Sequence, residues 1–266
     1  MSVFSIDALE NRHIIITGAS GGIGSETARA VVKMGGTVTI TARDTKKLDL
    51  LKQELSEFTP PDNIYVHTAD LTDEEALKHL VHIAEEELGP IYGLVNCAGI
   101  SGGTIVEDTT KDELEYIMEL NYTSAVMLTK LVYQHMKKHQ KGVIVNVSSL
   151  SGLRGTYGNT AYAGSKFALI GFTHSFALEA IHHGVRVNAV CPGYVNTQMG
   201  IRAIEKRAKR NNRSFEDQLA LITSEYPSGK LIEPEEVANT IVYLMTDAAP
   251  NIIGESVKIS GGTVLR

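Results

Sequence analysis

The sequence predicts an α/β fold, a single-domain, Rossmann-like, doubly wound parallel sheet of seven strands with helices on both faces. Short β-branched runs recur along the chain, and segments with helical periodicity separate them. The strand runs contain few polar residues, as expected for strands that are buried on both faces of a parallel sheet. No linker, repeat or low-complexity segment interrupts this alternation, so residues 1–266 are predicted to form one domain.

The elements follow from these two periodicities. β-branched and apolar runs predict strands at residues 13–17, 37–41, 64–68, 93–96, 143–148, 185–190 and 256–260. Apolar residues spaced three or four apart predict helices at residues 24–34, 44–57, 72–88, 111–138, 162–182 and 234–245. Residues 196–230 depart from the alternation, because a charged helical run at 201–210 and two asparagines fill a long connection. Such a connection predicts a lid over a binding site, and a solvated surface insertion is the alternative.

Composition limits the partners and the compartment. The formal charge of −6 and the pI of about 5.9 argue against a general affinity for nucleic acid or for an anionic membrane surface. Cys97 and Cys191 lie in apolar strand-like runs, which argues against a disulfide framework and favours a reducing compartment. Residues 1–7 have neither a basic nor an apolar segment, so no signal peptide is expected. The apolar runs are too short to span a bilayer, and a cytoplasmic protein is expected.

The first predicted strand leads directly into a glycine-rich turn and a helix. Gly18, Gly22 and Gly24, with Ser20 and Ile23 between them, allow the backbone to approach a pyrophosphate. The helix N-terminus adds unpaired N–H groups and the positive end of the helix dipole. A plain tight turn is the alternative, but the strand–turn–helix order favours a nucleotide site.

The end of the second strand indicates which nucleotide. An acidic residue there would bind the ribose 2′-hydroxyl of NAD, whereas this chain has Ala42 followed by Arg43. A cation at this position suits the 2′-phosphate of NADP(H), which is therefore favoured. The neighbouring Asp44 leaves NAD(H) as a possibility.

Two further strand ends contribute to the same predicted site. Asp70, followed by Leu71, could accept a hydrogen bond from the adenine amino group or could cap the helix near Thr72. The fourth strand ends in Asn96 and Cys97, and the small residues Ala98 and Gly99 would let a cofactor lie against the backbone.

Tyr162 and Lys166 are four residues apart in a predicted helix, so their side chains share one face. A cation beside a phenol favours the phenolate and lowers the phenol pKa. The pair is a candidate acid/base unit. Taken alone, however, this spacing more often belongs to a half-buried ring and a solvated amine.

Together these motifs resemble the short-chain dehydrogenase/reductase family, in its compact single-domain branch. The resemblance rests on the glycine turn, Asp70, residues 96–99, Asn121, Ser149, Tyr162 with Lys166, and Pro192 with Gly193. The chain departs from the family at Cys97, where a second asparagine is commoner, although cysteine also fits a tight buried turn.

The resemblance implies a catalytic set of four residues. Tyr162 would be the acid in reduction and the base in oxidation, and Lys166 would lower its pKa and bind the nicotinamide ribose. Ser149, thirteen residues before Tyr162, would hydrogen-bond the substrate oxygen, while Ser148 would point the opposite way. Asn121, a poor residue for a helix interior, would distort its helix and hold a water in a proton relay. An exposed, tolerated asparagine is the alternative.

The resemblance also implies the remaining cofactor contacts and the assembly. The Val195 backbone and the Thr197 hydroxyl, which follow Pro192 and Gly193, would hold the nicotinamide carboxamide. The predicted helices 111–138 and 162–182 would form a homotetramer or homodimer. No metal site is expected, because the histidines form no ligand-spaced cluster beyond His182 and His183 at a helix end.

The resulting functional hypothesis is an NADP(H)-dependent oxidoreductase that interconverts a small-molecule ketone and a secondary alcohol. A 3-oxoacyl thioester is one candidate substrate, although carrier-protein reductases tend to have arginine where this chain has His182 and His183. The cations Lys206, Arg207, Lys209 and Arg210 could meet an anionic carrier or coenzyme A, but a solvated lid face is favoured. The alternatives are a dehydrogenase of a hydroxy acid, sugar alcohol or hydroxysteroid, and a non-catalytic nucleotide-sensing protein.

Overall fold

The predicted parallel sheet is confirmed by a computed structural model, which describes residues 5–265. Residues 1–4, part of the N-terminal segment considered above, and residue 266 lie outside the described residues. Within residues 5–265, seven parallel strands pair in the order β3-β2-β1-β4-β5-β6-β7. The strands are β1 (His13–Thr17), β2 (Thr37–Ala42), β3 (Ile64–Thr68), β4 (Ile91–Asn96), β5 (Gly142–Val147), β6 (Val185–Pro192) and β7 (Ser256–Ile259).

Helices connect the strands and cover both faces of the sheet. They are α1 (Gly22–Lys33), α2 (Thr45–Leu55), α3 (Glu74–Leu88), α4 (Lys111–Met118), α5 (Ser124–His139), α6 (Thr160–Ala180), α7 (Gln198–Arg210), α8 (Phe215–Glu225) and α9 (Pro234–Met245). Two features differ from the predicted elements. The single helix predicted at 111–138 is divided by a π-helical turn, Glu119–Thr123. Residues 196–230 contain two helices instead of one, because Thr197 and Ser214 each cap a helix with their hydroxyls.

Alternation along β1 shows how the core is divided. Ile14 and Ile16 pack with the apolar residues of α1, α2 and α9 on one face of the sheet. Ile15, between them, packs with α3, α5 and α6 on the other face. All three isoleucines are fully buried, so this strand has no solvent-facing side.

The strand order reverses between β1 and β4, and all carboxyl ends meet at one edge of the sheet. In open parallel sheets this is where the loops part and leave a crevice. No helix within residues 5–265 is both long and apolar enough to cross a membrane.

Candidate active site

A cavity of about 900 Å³ lies at the carboxyl edge of the sheet. It extends from the turn between β1 and α1, past the ends of the neighbouring strands, to the inner face of α7. Most of the sequence-predicted residues line it: Gly18, Ser20, Gly22, Ile23, Gly24, Arg43, Leu71, Ala98, Gly99, Ser149, Tyr162, Lys166, Pro192, Gly193, Val195 and Thr197. Asp70, Asn96 and Asn121 are not among the lining residues.

The glycine turn makes close contacts that side chains would prevent. Gly18 has a φ of +65°, and a β-carbon there would lie 2.8 Å from the Ala98 Cα. A β-carbon on Gly22 would lie 2.5 Å from the Thr197 Cγ2. The N-cap of α1 is Gly21, which has no side chain to occupy the first N–H groups of the helix. The turn is therefore a backbone cradle that suits a pyrophosphate.

Thr17 joins this turn to the end of β4. Its hydroxyl accepts hydrogen bonds from the Cys97 and Ala98 N–H groups at 3.0 and 3.1 Å, and donates to the Val95 carbonyl at 3.3 Å. Sequence reasoning missed this role, although a threonine at the end of a buried strand was the available signal.

Lys166 is held at both ends by the last residue of β5 and the residue after it. Its Nζ donates to the Val147 carbonyl at 2.9 Å, and its own carbonyl accepts from the Ser148 hydroxyl at 3.0 Å. Lys166 is only 5% exposed, and its Nζ lies 5.7 Å from the ring centroid of Tyr162. The pair therefore shares one face of α6, as the spacing predicts.

Burial sets the protonation of the two groups. Loss of hydration lowers the pKa of Lys166 to about 8. Burial also raises the pKa of Tyr162, and hydrogen bonding with Ser149 opposes this only in part. The net direction of the Tyr162 pKa is upward, because the desolvation of the phenol outweighs its other interactions, and a lowering by Lys166 stays a prediction.

Ser149 and Ser148 have different partners. The Ser149 hydroxyl accepts from the Ser151 N–H at 3.1 Å and lies near the Tyr162 phenol. The Ser148 hydroxyl instead donates its hydrogen bond to the Lys166 carbonyl. Both residues border the cavity, but only Ser149 is near enough to the Tyr162 phenol to lower its pKa.

Asn121 lies in the π-helical turn and is 1% exposed. Its Oδ1 accepts from the Ile100 N–H at 2.8 Å, and its Nδ2 donates to the Ile100 carbonyl at 2.9 Å and to the Ser165 hydroxyl at 3.1 Å. A β-carbon on Gly99 would lie 3.0 Å from the same Oδ1. Asn121 thus fixes the loop after β4 against α6, and the alternative of an exposed asparagine is wrong.

Two predicted cofactor residues have structural partners outside the cavity. The Asn96 amide donates to Thr129 and to Asn146, at 2.9 and 2.8 Å, in the buried layer between β4 and α5. The Asp70 carboxylate accepts from the Thr72 N–H and hydroxyl, which lowers its pKa. The helix N-cap near this position is Asp73, so Asp70 forms a local turn.

The end of the cavity beside β2 has two cations at its rim, Arg43 and Lys47. The Arg43 guanidinium is 3.1 Å from the Tyr116 hydroxyl. Asp44 is the N-cap of α2, and its carboxylate accepts from the Lys47 N–H at 3.2 Å. Sequence reasoning missed Lys47, which only the helix geometry brings to the rim.

The basic run of α7 is a solvated face only in part, because Lys206 and Lys209 are exposed while Arg207 and Arg210 are half-buried. Lys206 Nζ donates to the Gly102 carbonyl at 3.1 Å, and Arg210 donates to the Gly158 and Tyr157 carbonyls at 3.2 and 3.3 Å. Lys206 and Arg207 also line the cavity. Lys209 is exposed and does not line it.

The cysteines and histidines provide no competing chemistry in the part of the chain that the structure describes. Burial raises the pKa of Cys97 to about 12 and that of Cys191 to about 11, so both thiols stay protonated. No group of three or more His, Cys, Asp or Glu side chains within residues 5–265 could hold a metal ion.

Comparison with known proteins agrees with this geometry. A family model described as short chain dehydrogenase matches residues 12–208. The 3-oxoacyl-(acyl-carrier-protein) reductase FabG of Vibrio harveyi is 35% identical over 254 residues, which cover 96% of this chain and 98% of that protein. The acetoacetyl-CoA reductase of Shinella zoogloeoides is 33% identical over 252 residues, covering 95% and 98%. A variant of actinorhodin polyketide ketoreductase solved with NADPH has a TM-score of 0.91 at 31% identity, covering 98% of this chain and 99% of that one.

Burial of Lys166 predicts that stability depends on pH. Between the folded pKa of about 8 and the ordinary value of 10.5, the unfolded chain holds a proton that the folded protein has lost. The contribution of Lys166 to stability therefore rises with pH in this range. Cys97 and Cys191 act oppositely from about pH 9, and Tyr162 from about pH 10, because burial raises their pKa values and only the unfolded groups ionise there. We expect the free energy of unfolding of the wild type to gain roughly 2 kcal/mol between pH 8 and 10 relative to Lys166→Met, in denaturant titrations of both proteins. The same change with pH in both proteins would contradict the assignment.

Proposed function

Because the chain belongs to the short-chain dehydrogenase/reductase family and is an oxidoreductase that interconverts a ketone and a secondary alcohol, we propose that it reduces a 3-oxoacyl substrate with NADPH. The observation that carries the proposal is the arrangement of Ser149, Tyr162 and Lys166 on a cavity with a cationic rim at its adenine end. The substrate class is supported by relatives whose names specify 3-oxoacyl and acetoacetyl reduction.

The residues of the site divide the reaction between them. Bound nicotinamide supplies the hydride. The Ser149 hydroxyl donates to the substrate oxygen and stabilises the negative charge that develops on it. Tyr162 gives that oxygen a proton, and its raised pKa keeps the phenol in the proton-donating form at neutral pH. Lys166 binds ribose hydroxyls, and Asn121 positions the loop at residues 99–100.

The preference for NADPH over NADH rests on the rim at the end of β2. Arg43 and Lys47 both border the cavity and suit a 2′-phosphate. The Asp44 carboxylate is used in capping α2, which reduces its competition for a ribose hydroxyl. Backbone N–H groups of the glycine turn hold the pyrophosphate, and Val195 and Thr197 hold the carboxamide.

Residues 196–230 act as a lid in this proposal. Lys206 and Arg210 fasten α7 to the loops on either side of Tyr162, through the carbonyls of Gly102 and Gly158. Gly158 has a φ of +65° and lies in contact with the Arg210 guanidinium, so a larger residue would obstruct this contact. The lid is therefore closed by three cation–carbonyl contacts, including that of Arg210 with Tyr157, which a bound substrate could strengthen or release.

The assembly and the compartment complete the proposal. The outer faces of α4 and α6 expose Leu114, Phe167 and Leu178, which favours burial in a homodimer or homotetramer. The two unpaired cysteines favour a reducing, cytoplasmic environment.

The first prediction tests the proton donor. Tyr162→Phe removes the hydroxyl and keeps the ring, so we expect turnover of acetoacetyl thioesters with NADPH to fall by at least about 10³-fold. The dissociation constant of NADPH, measured by fluorescence, should change less than about threefold. Turnover by Tyr162→Phe close to that of the wild type would remove Tyr162 from the role of proton donor.

The second prediction tests the cofactor preference. Arg43→Gln should raise the KM for NADPH about tenfold or more and leave the KM for NADH nearly unchanged, because only NADPH has a 2′-phosphate. Lys46→Gln is the matched control, since Lys46 is an exposed neighbour outside the cavity lining. Equal losses for both cofactors in Arg43→Gln would refute the 2′-phosphate assignment.

The third prediction tests the lid. Arg210→Gln should loosen the end of α7, raise the KM for the ketone several-fold and speed proteolysis within residues 196–230. Lys209→Gln, on the same helix but exposed, should do neither. A lid that is cleaved at the same rate in both variants would show that the Arg210 contacts do not close it.

A further inference from the structure

The lining of the cavity is strongly basic although the chain is acidic. Apart from Lys166, six lysines and arginines line it, against a single acidic residue among the residues that the structure describes, Asp44. The chain as a whole has a formal charge of −6. The six are Arg43, Lys47, Arg154, Arg202, Lys206 and Arg207. A local excess of this kind marks a site for an anion.

The 2′-phosphate proposed above accounts for Arg43 and Lys47 only. The other four cations lie on two walls at the lid end. Arg154 is on the loop that follows Ser149, and the rest are on α7, where Arg202 and Lys206 are four residues apart on one face. The lid end therefore has a cationic lining of its own.

This end of the cavity is next to the catalytic tyrosine. The Lys206 ammonium is 3.1 Å from the Gly102 carbonyl oxygen, and a β-carbon on Gly102 would lie 3.2 Å from the Tyr162 Cβ. On the other wall, Arg154 is close enough to Tyr226 to oppose the burial-driven rise in that phenol's pKa. Both walls and Tyr162 line the same cavity, so one bound molecule could contact all three.

The four cations differ in whether another protein group already binds them. Lys206 is bonded to Gly102, and the Arg207 guanidinium is 3.7 Å from a Glu225 carboxylate oxygen. Arg154 and Arg202 have no side-chain hydrogen bond or ion pair within residues 5–265, and both are exposed to the cavity. Their guanidinium groups present paired donors that match a carboxylate or a phosphate.

We propose that Arg154 and Arg202 form an anion subsite that binds an acidic group of the substrate. This inference rests on the proposed 3-oxoacyl reductase function and adds that the preferred substrate carries a negative charge. Two sources supply the same chemistry, the carboxylate of a free 3-oxo acid and the phosphates of a coenzyme A thioester. Lys206 positions α7 so that Arg202 faces this group.

The experiment compares three substrates with NADPH at saturation: acetoacetate, acetoacetyl-CoA and the uncharged acetoacetyl thioester of N-acetylcysteamine. The variants are Arg154→Gln, Arg202→Gln and the double variant, with Lys209→Gln as a control for net charge outside the cavity. Arg202→Lys tests whether charge alone restores binding. The KM for NADPH and the dependence of kcat/KM on salt are measured in each protein.

We expect the double variant to lower kcat/KM at least about tenfold for one or both charged substrates and less than about twofold for the uncharged thioester. The substrate whose kcat/KM falls identifies the source of the anion. In the wild type, added salt should lower kcat/KM only for the charged substrates. Reduction of the uncharged thioester by the wild type and by every variant supports the proposed reductase function, independently of the result for the subsite. Equal losses for all three substrates, no loss for any, or a raised KM for NADPH alone would overturn the subsite.

Discussion

The site depends on excluding water from the Lys166 ammonium at the carboxyl edge of the sheet. The end of β5 achieves this by binding the residue twice, through the Val147 carbonyl and the Ser148 hydroxyl. The same contacts fix α6 against the sheet, and so they set the position of Tyr162. Because the two groups share this dry environment, burial lowers the pKa of one and raises that of the other.

The centre of the site and its rim therefore differ in charge. The centre of the site keeps Tyr162 neutral and makes the charge of Lys166 costly, whereas the rim at both ends presents exposed arginines and lysines. Burial suits a proton donor, and exposed cations suit anions that must enter and leave. The backbone N–H groups at the glycine turn suit an anion without the help of a charged side chain.

The sheet and the glycine turn are predictable because their causes are local. Three consecutive isoleucines in β1 require burial on both faces, and Gly18 has a backbone conformation that other residues adopt poorly. The π-helical turn at Asn121, the contacts of Lys206 and Arg210, and the direction of the Tyr162 pKa shift are not predictable in this way. They arise from residues far apart in sequence, as with Arg210 and Gly158, and depend on how the elements pack.

The central claim is that burial, and not the neighbouring ammonium, governs Tyr162 before the cofactor binds. The most direct measurement is the ultraviolet absorbance of phenolate during a pH titration of the cofactor-free protein, with Tyr162→Phe subtracted to isolate one residue. The account predicts that Tyr162 ionises above the ordinary value of 10.0. Ionisation of Tyr162 near neutral pH without cofactor would contradict it.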